Sequence, residues 1–238
     1  MDYSELIKKI KPSIAIVFST KGNKVIGKGT GFIFAKKGIL VTCNHVVKEH
    51  DANFFIKFSD NDAIINSKIV IRDEEHDLAL LQFTDETRQP LLIAKADTVK
   101  EGMPVVFSGY PLTLSDLTTH QGILSAIIKD ATGIITYLID GTVNSGNSGC
   151  PLMTQNGEVI GVVNAKRREQ SDLLRNVEEM QTGALSLYGV DLVKIYQALI
   201  ENVQLGIGYA IPASYIPKHH SPEIVLPYGE KNNESIKK

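Results

Sequence analysis

The sequence predicts an all-β protein built from two six-stranded antiparallel β-barrels. From residue 13 onward, short apolar runs alternate with Gly, Asp, Asn and Lys, the texture of strands joined by tight turns. Twelve such runs with little helix between them favour closed barrels, which leave no strand edge unpaired. The predicted strands are Ile14–Phe18, Gly31–Phe34, Ile39–Thr42, Phe54–Phe58, Ile64–Ile71, Leu78–Phe83, Pro104–Gly109, Gln121–Lys129, Ile134–Ile139, Pro151–Thr154, Val159–Asn164 and Gly208–Ile211.

The organisation along the chain follows from these runs. Residues 1–12 form an N-terminal helical segment, because Leu6, Ile7 and Ile10 have helical spacing and Pro12 ends the pattern. The first barrel is expected over 13–100 and the second over 101–217, with a polar tail at 218–238. A short helical turn is expected after His45, over Val46 to His50.

One segment, about 166–204, is too long and polar for a barrel connection. Apolar residues at helical spacing predict two helices within it, over Ser171–Met180 and Gly189–Val203. Three interpretations stay open: an ornament packed on the barrel, a lid or substrate-selecting loop, and an oligomer contact.

Composition excludes several classes of protein. The net charge of −2 gives no electrostatic basis for nucleic-acid binding. The apolar runs are far shorter than a membrane span, and the first residues lack the basic and apolar regions of a signal peptide. A cytoplasmic protein without membrane association is therefore expected. Two cysteines do not make a disulfide framework.

Three motifs carry the candidate chemistry. Ser148 lies between glycines in the loop Asn144–Gly149, a setting that suits a nucleophile on a tight turn, although a polar turn would look the same. His45 lies in an apolar run, where a buried core histidine is the ordinary interpretation. Asp77 precedes another apolar run, where it could be a turn residue. Their chain order, His then Asp then Ser, is one of the known orders of a catalytic triad.

Taken together, these segments resemble the trypsin-like serine peptidases of the chymotrypsin fold, and among them the protease domain of the HtrA (Deg) family. The likeness rests on the glycine-rich Gly27–Ile33, on the His45, Asp77 and Ser148 segments, on Val105–Ala126, and on Gly157–Asn164 and Gly208–Pro212. It covers roughly residues 12–165 and 205–217. The resemblance implies an active site in the cleft between the barrels.

The resemblance also assigns roles. Ser148 would be the nucleophile, His45 the general base and Asp77 its orienting partner, whereas His76 is rejected as a rival base. The oxyanion hole would consist of Gly146, Asn147 and Ser148, with the Gly146 and Ser148 N–H groups as donors and Asn147 setting the turn.

The substrate pocket is expected to be small and apolar. Thr142 takes the place of the acid that tryptic enzymes use, which argues against cleavage after Lys or Arg and favours small aliphatic residues. The predicted substrate-binding residues are Thr142, Val143, Val163, Asn164, Ala165 and Ala210. The strand over 162–166 would pair with the substrate backbone.

The function these features indicate is a serine endopeptidase acting on unfolded or specific proteins. The alternative is a protease-like module that binds peptides without turnover. No cofactor or metal is expected, His219 and His220 included. Cys43 and Cys150 are interpreted as buried small hydrophobes, with a redox-sensitive pair as the alternative. The HtrA resemblance implies a homotrimer. This chain is expected to depart from that family in having no following PDZ domain.

Overall fold

The computed structural model describes residues 2–85, 87–112, 114–165, 183–184, 186–196 and 206–217. One α-helix, α1 (Ser4–Ile10), precedes the strands. Fourteen strands lie within the described residues: β1 (Ile14–Lys21), β2 (Lys24–Ile33), β3 (Ile39–Cys43), β4 (Asn53–Phe58), β5 (Ile65–Asp73), β6 (Leu78–Phe83), β7 (Pro104–Gly109), β8 (Thr118–Lys129), β9 (Ile135–Asp140), β10 (Pro151–Thr154), β11 (Val159–Asn164), β12 (Ser186–Leu187), β13 (Val190–Asp191) and β14 (Ile207–Pro212).

The first barrel closes in the strand order β1-β2-β3-β6-β5-β4. All five residues of β3 and five of the six residues of β6 are buried, as expected of strands whose sequences are continuous apolar runs. β3 and β6 are antiparallel neighbours with Cys43 opposite Leu78. The chain that leaves β3 and the chain that enters β6 therefore meet at one end of the barrel, which brings His45 and Asp77 together.

The second barrel closes in the order β10-β11-β14-β9-β8-β7. Pro151, which begins β10, lies opposite Val162 near the end of β11. This pairing places the Ser148 loop, which precedes β10, beside the end of β11. Asn164 is the last residue of β11, and Ala165 follows it. The second barrel has its own core, formed by Val105, Phe107, Leu124, Tyr137, Ile139, Cys150, Leu152, Ile160, Val163 and Ala210.

The two barrels share buried contacts. Tyr110, which follows β7, is fully buried, and its hydroxyl donates to the Ile14 carbonyl of β1 at 3.2 Å. Helix α1 lies on the β10–β11 hairpin, since a Cβ placed on Gly157 would come within 2.6 Å of the Leu6 side chain. Met153 of the second barrel belongs to the same buried cluster as the first-barrel core. Several buried contacts therefore join the two barrels.

The prediction of two six-stranded antiparallel barrels and a short N-terminal helix is confirmed. β2 begins at Lys24, seven residues earlier than predicted. The prediction missed this start because the first half of the strand is largely exposed and carries lysines rather than an apolar run. The helical turn begins at Asn44 and includes His45, whereas it was expected to begin at Val46. No helix among the described residues is long and apolar enough to cross a membrane.

The predicted insertion is described only in part. β12 and β13 form a two-stranded hairpin over residues 186–191, so the second predicted helix does not begin at Gly189; residues 192–196 are helical. Tyr188 and Gly189 both have positive φ, the turn geometry that reverses the chain before the helix. The predicted helix over 171–180 and the tail over 218–238 lie outside the described residues.

Candidate active site

His45 lies in the 3-10 turn Asn44–Val47, directly after β3. Val46 and Val47 are buried beneath the turn, so the histidine is carried by an element anchored in the first-barrel core. Arg72 of β5 holds the turn at both ends: it donates to Asn44 Oδ1 at 2.8 Å and to the Val47 carbonyl at 2.6 Å. The Asn44 N–H donates to the Asp77 carbonyl at 2.9 Å, which ties the turn to the aspartate.

Asp77 has φ +54°, a left-handed conformation that Asp and Asn tolerate better than other non-glycine residues. Its Oδ1 accepts the His45 backbone N–H at 2.8 Å, and its Oδ2 lies 2.6 Å from His45 Nδ1. Asn164 Nδ2 also donates to Oδ2, at 2.9 Å. Burial disfavours the charged carboxylate, but the bonds and charge of His45 and the Asn164 amide outweigh it and lower the pKa of Asp77.

Ser148 completes the chain of hydrogen bonds. His45 Nε2 lies 2.9 Å from Ser148 Oγ, within reach for proton transfer. The Ala165 N–H donates to the same oxygen at 3.1 Å. Asp77, His45 and Ser148 are thus joined in one line of hydrogen bonds, with the aspartate on one ring nitrogen and the serine on the other.

The loop before Ser148 turns at two glycines with positive φ. Gly146 and Gly149 both have φ +90°, a conformation that side chains disfavour. A Cβ on Gly146 would lie 2.3 Å from the Tyr110 carbonyl oxygen, and one on Gly149 would lie 1.9 Å from the Thr30 carbonyl oxygen. Close backbone approach therefore requires glycine at both positions.

Asn147 lies between the two predicted oxyanion donors and is fully buried. Its N–H donates to the Asn144 carbonyl at 3.0 Å, so this group closes the turn. Its side-chain Nδ2 is buried and has no hydrogen-bond partner within the described ranges.

Residues outside the loop hold the two peptide groups around Gly146. The Leu112 N–H donates to the Ser145 carbonyl at 2.6 Å, and Thr30 Oγ1 donates to the Gly146 carbonyl at 2.8 Å. Thr30 Oγ1 in turn accepts the Tyr110 N–H at 3.0 Å. Sequence reasoning missed Thr30 and Leu112 as site residues, because their partners are more than 30 positions away and no local pattern marks the pairing.

The predicted substrate-binding residues divide into three groups. Val163 and Ala210 are cross-strand partners and are fully buried in the second-barrel core, with Val143 packed against it. Thr142 is exposed. Ala165 is in direct contact with the Ser148 hydroxyl through its backbone N–H, whereas the Asn164 amide is bonded to Asp77.

His76, the rival base, has different partners. Its Nδ1 lies 2.8 Å from Asp73 Oδ2, and its ring stacks on Tyr215 with centroids 4.1 Å apart. It also lines, together with Asp77 and Asn164, a cavity of about 310 Å³. None of its described bonds reaches Ser148, so the geometry pairs His45 with the serine.

Both cysteines are buried thiols near the site. Cys43 Sγ donates to the Val163 carbonyl at 3.4 Å, and Cys150 Sγ lies 3.7 Å from Asn147 Oδ1. Burial raises the pKa of Cys150 to about 12 and that of Cys43 well above its usual value. Both sulfurs are therefore protonated and poorly reactive at neutral pH, as expected of small hydrophobes.

Three potential metal ligands, Cys43, His45 and Asp77, offer donor atoms within 4.8 Å of one another. Both ring nitrogens of His45 already have partners, in Asp77 and Ser148. A metal would also require the Cys43 thiolate, which burial disfavours. The donor set fits the hydrogen-bonded line better than it fits a metal.

Two closed barrels that present a serine, a histidine and an aspartate in one hydrogen-bonded line define the class of chymotrypsin-type serine peptidases. The family described as trypsin-like peptidase domain matches residues 29–162. The chain belongs to that family.

Curated relatives share the same region. A probable periplasmic serine endoprotease DegP-like of Pseudomonas fluorescens is 33% identical over 137 residues, which are 56% of this chain and 28% of that protein. The Brucella suis protein of the same name is 36% identical over 143 residues, 58% of this chain and 27% of the relative. The chain therefore spans little more than a quarter of the length of these relatives.

Among solved structures, the HtrA-type protease AlgW with tripeptide superimposes with a TM-score of 0.65 at 23% identity, over 90% of this chain and 60% of AlgW. This likeness agrees with the fold described above.

The prediction of a cytoplasmic protein is wrong in the light of these relatives, which are named periplasmic. The prediction rested on the composition of the first residues and on short apolar runs. A folded two-barrel domain needs the same core in the cytoplasm and in the periplasm. The composition of the first residues and the length of the apolar runs therefore do not indicate the compartment.

Proposed function

We propose that this chain is a serine endopeptidase in which His45, Asp77 and Ser148 form the catalytic triad. The observation that carries the proposal is the line of hydrogen bonds from Asp77 Oδ2 to His45 Nδ1, at 2.6 Å, and from His45 Nε2 to Ser148 Oγ, at 2.9 Å. Serine is a poor nucleophile unless a bonded base removes its proton, and this geometry supplies the base.

The mechanism follows from the atoms in that line. Ser148 Oγ attacks the carbonyl carbon of the scissile bond while its proton moves to His45 Nε2. Asp77 stabilises the imidazolium that forms, and its lowered pKa keeps the carboxylate charged. His45 then returns the proton to the leaving amine, and water repeats the sequence on the acyl-enzyme. The Gly146 and Ser148 N–H groups serve as the oxyanion donors.

The proposed substrates are unfolded or specific proteins cleaved after small aliphatic residues, in the periplasm that the relatives' names indicate. The neutral Thr142 offers no charge to a Lys or Arg side chain. Val143, beside Gly208, would narrow the pocket, since a Cβ on Gly208 would come within 2.3 Å of Val143 Cγ2. Peptides with Val before the scissile bond should be cleaved about tenfold or more faster than peptides with Lys.

The test is covalent labelling with a fluorophosphonate probe. Wild type should be labelled stoichiometrically at Ser148, and Ser148→Ala and His45→Ala should lose the label. Ser145→Ala is the matched control, because it removes an exposed serine from the same loop. A folded wild type that takes no label, with or without added unfolded protein, would reject the proposal and favour a peptide-binding module without turnover.

A further inference from the structure

Lys28 of β2 makes contacts that the triad does not explain. Its Nζ donates to the Leu112 carbonyl at 3.0 Å and to the Leu114 carbonyl at 2.7 Å, across the interface from the first barrel to the second. Among the described residues no carboxylate pairs with this ammonium, and partial burial lowers the pKa of Lys28. Two carbonyl oxygens are therefore its binding partners.

The segment that Lys28 holds is unfavourable by itself. Leu112 has φ +55°, a conformation that costs free energy for a leucine. Leu112 is 46% exposed, as is Leu114, so these residues offer little apolar burial to offset the strained backbone. The described hydrogen bonds of the segment are the two from Lys28, the bond from the Leu112 N–H to Ser145, and the bond from the Leu114 N–H to the Pro111 carbonyl at 3.1 Å.

The strained residue, Leu112, contacts the Ser148 loop directly. The Leu112 N–H donates to the Ser145 carbonyl at 2.6 Å. In a trans peptide the carbonyl and the following N–H point in opposite directions. With the Ser145 oxygen turned to Leu112, the Gly146 N–H points away from that segment. The Leu112 bond therefore selects one orientation of the peptide that supplies the first oxyanion donor.

We infer that Lys28 is a positioning residue for the oxyanion hole, acting from the first barrel through Leu112 on the Ser145–Gly146 peptide. This inference rests on the proposed function and deepens it. The Lys28 ammonium donates to the Leu112 and Leu114 carbonyls, and the Leu112 N–H donates to the Ser145 carbonyl. Together these bonds fix the direction in which the Gly146 N–H points. Without the ammonium, the strained segment relaxes and the peptide is no longer confined to the productive orientation.

The test compares Lys28→Met with Lys24→Met, which removes an exposed lysine from the same strand. Four quantities are measured: kcat and KM on a chromogenic peptide ending in valine, the affinity of the matching peptide boronate, and the affinity of the uncleaved peptide for each variant carrying Ser148→Ala. The boronate forms a tetrahedral adduct that needs the oxyanion donors, whereas the uncleaved peptide does not.

Lys28→Met should lower kcat and boronate affinity in parallel, by about 10- to 100-fold, since removing one donor outright costs about 10²- to 10³-fold. KM and the affinity for uncleaved peptide should stay within about twofold, the pattern of an interaction made only in the transition state. Lys28→Arg should recover most of the loss, because a guanidinium can donate to two carbonyls. Thermal unfolding confirms that each variant is folded.

Several outcomes overturn the inference. If Lys28→Met matches Lys24→Met in kcat, or if boronate and uncleaved peptide lose affinity equally, Lys28 does not act on the oxyanion hole. If Lys28→Met fails to fold, Lys28→Gln is used with the same criteria, and failure of Lys28→Gln and Lys28→Arg to fold would assign the lysine a structural role. A wild type that neither cleaves peptide nor binds boronate rejects the proposed function itself.

Discussion

The histidine side of the site and the serine side are held in place by different kinds of contact. On the first barrel, His45 and Asp77 bind each other twice, and the charged Arg72 clasps the turn that carries the histidine. On the second barrel, the Ser148 loop is fixed by neutral backbone bonds from distant segments, with Thr30 and Leu112 as donors. The histidine is therefore positioned mainly by its own barrel, with one bond from Asn164 of the second barrel to Asp77. The Ser148 loop depends on Thr30 of the first barrel and on Leu112, whose carbonyl accepts a bond from Lys28 of the first barrel.

The largest expected effect comes from a substitution on the histidine side of the site. Asp77→Asn should lower kcat about 10⁴-fold, because an amide cannot stabilise the imidazolium and favours the wrong tautomer. Asparagine also tolerates the positive φ at this position, so the fold should be kept. Steady-state kinetics on a valine peptide measure the loss.

The matched control is Asp73→Asn, which removes the carboxylate that pairs with His76. Its activity should stay within about threefold of wild type, because the described side-chain bonds of Asp73 go to His76 and none reaches His45, Asp77 or Ser148. Equal losses in the two variants would mean that His76 and Asp73 belong to the catalytic machinery.

A smaller effect is expected from the serine side. Gly146→Ala places a methyl group 2.3 Å from the Tyr110 carbonyl oxygen and in a φ that alanine disfavours, so the loop must move. Moving one oxyanion donor should lower kcat about 10²- to 10³-fold with little change in KM. Kinetics and boronate binding should report the same factor.

Gly102→Ala separates backbone strain from the clash. Gly102 also has positive φ, at +81°, but nothing lies within 4 Å of its added Cβ. This variant should lose about 1 kcal/mol of stability and keep its kcat. A matching loss of kcat at Gly102 would show that strain alone, at any turn, impairs the site.

The same contrast explains what the sequence could predict. The first-barrel strands β3 and β6 are apolar runs, and a histidine and an aspartate next to their ends are visible in the sequence. The Ser148 loop is likewise visible through its glycines. The supports of that loop were missed. Lys28 and Thr30 lie in the glycine-rich Gly27–Ile33 segment, but nothing in the sequence marks their side chains as contacts of a loop in the other barrel. The Leu112 bond depends on a backbone conformation that no side chain signals.

The smallest expected effect is a pH-dependent change in stability, which comes from the Asp77 carboxylate on the histidine side of the site. The folded pKa of Asp77 lies below its usual 3.8, so the folded protein binds this proton more weakly than the unfolded chain. The carboxylate therefore adds stability above about pH 4, and this contribution is lost as the pH falls through the folded pKa. Part of the side chain is exposed, at 27%, which limits the contribution to about 1 kcal/mol, or about 2–4 °C in Tm.

Thermal unfolding from about pH 6 to about pH 2.5 measures this difference. The Tm advantage of wild type over Asp77→Asn should be constant above about pH 5 and shrink below about pH 4, while the difference between wild type and Gly146→Ala stays level. The two Tm differences should depend on pH differently because the Ser148 loop, which contains Gly146, is bonded by neutral groups that do not titrate in this range. Lys28 keeps its charge throughout the same range. Parallel curves for the two variants would contradict the assignment of the titrating carboxylate to the histidine side.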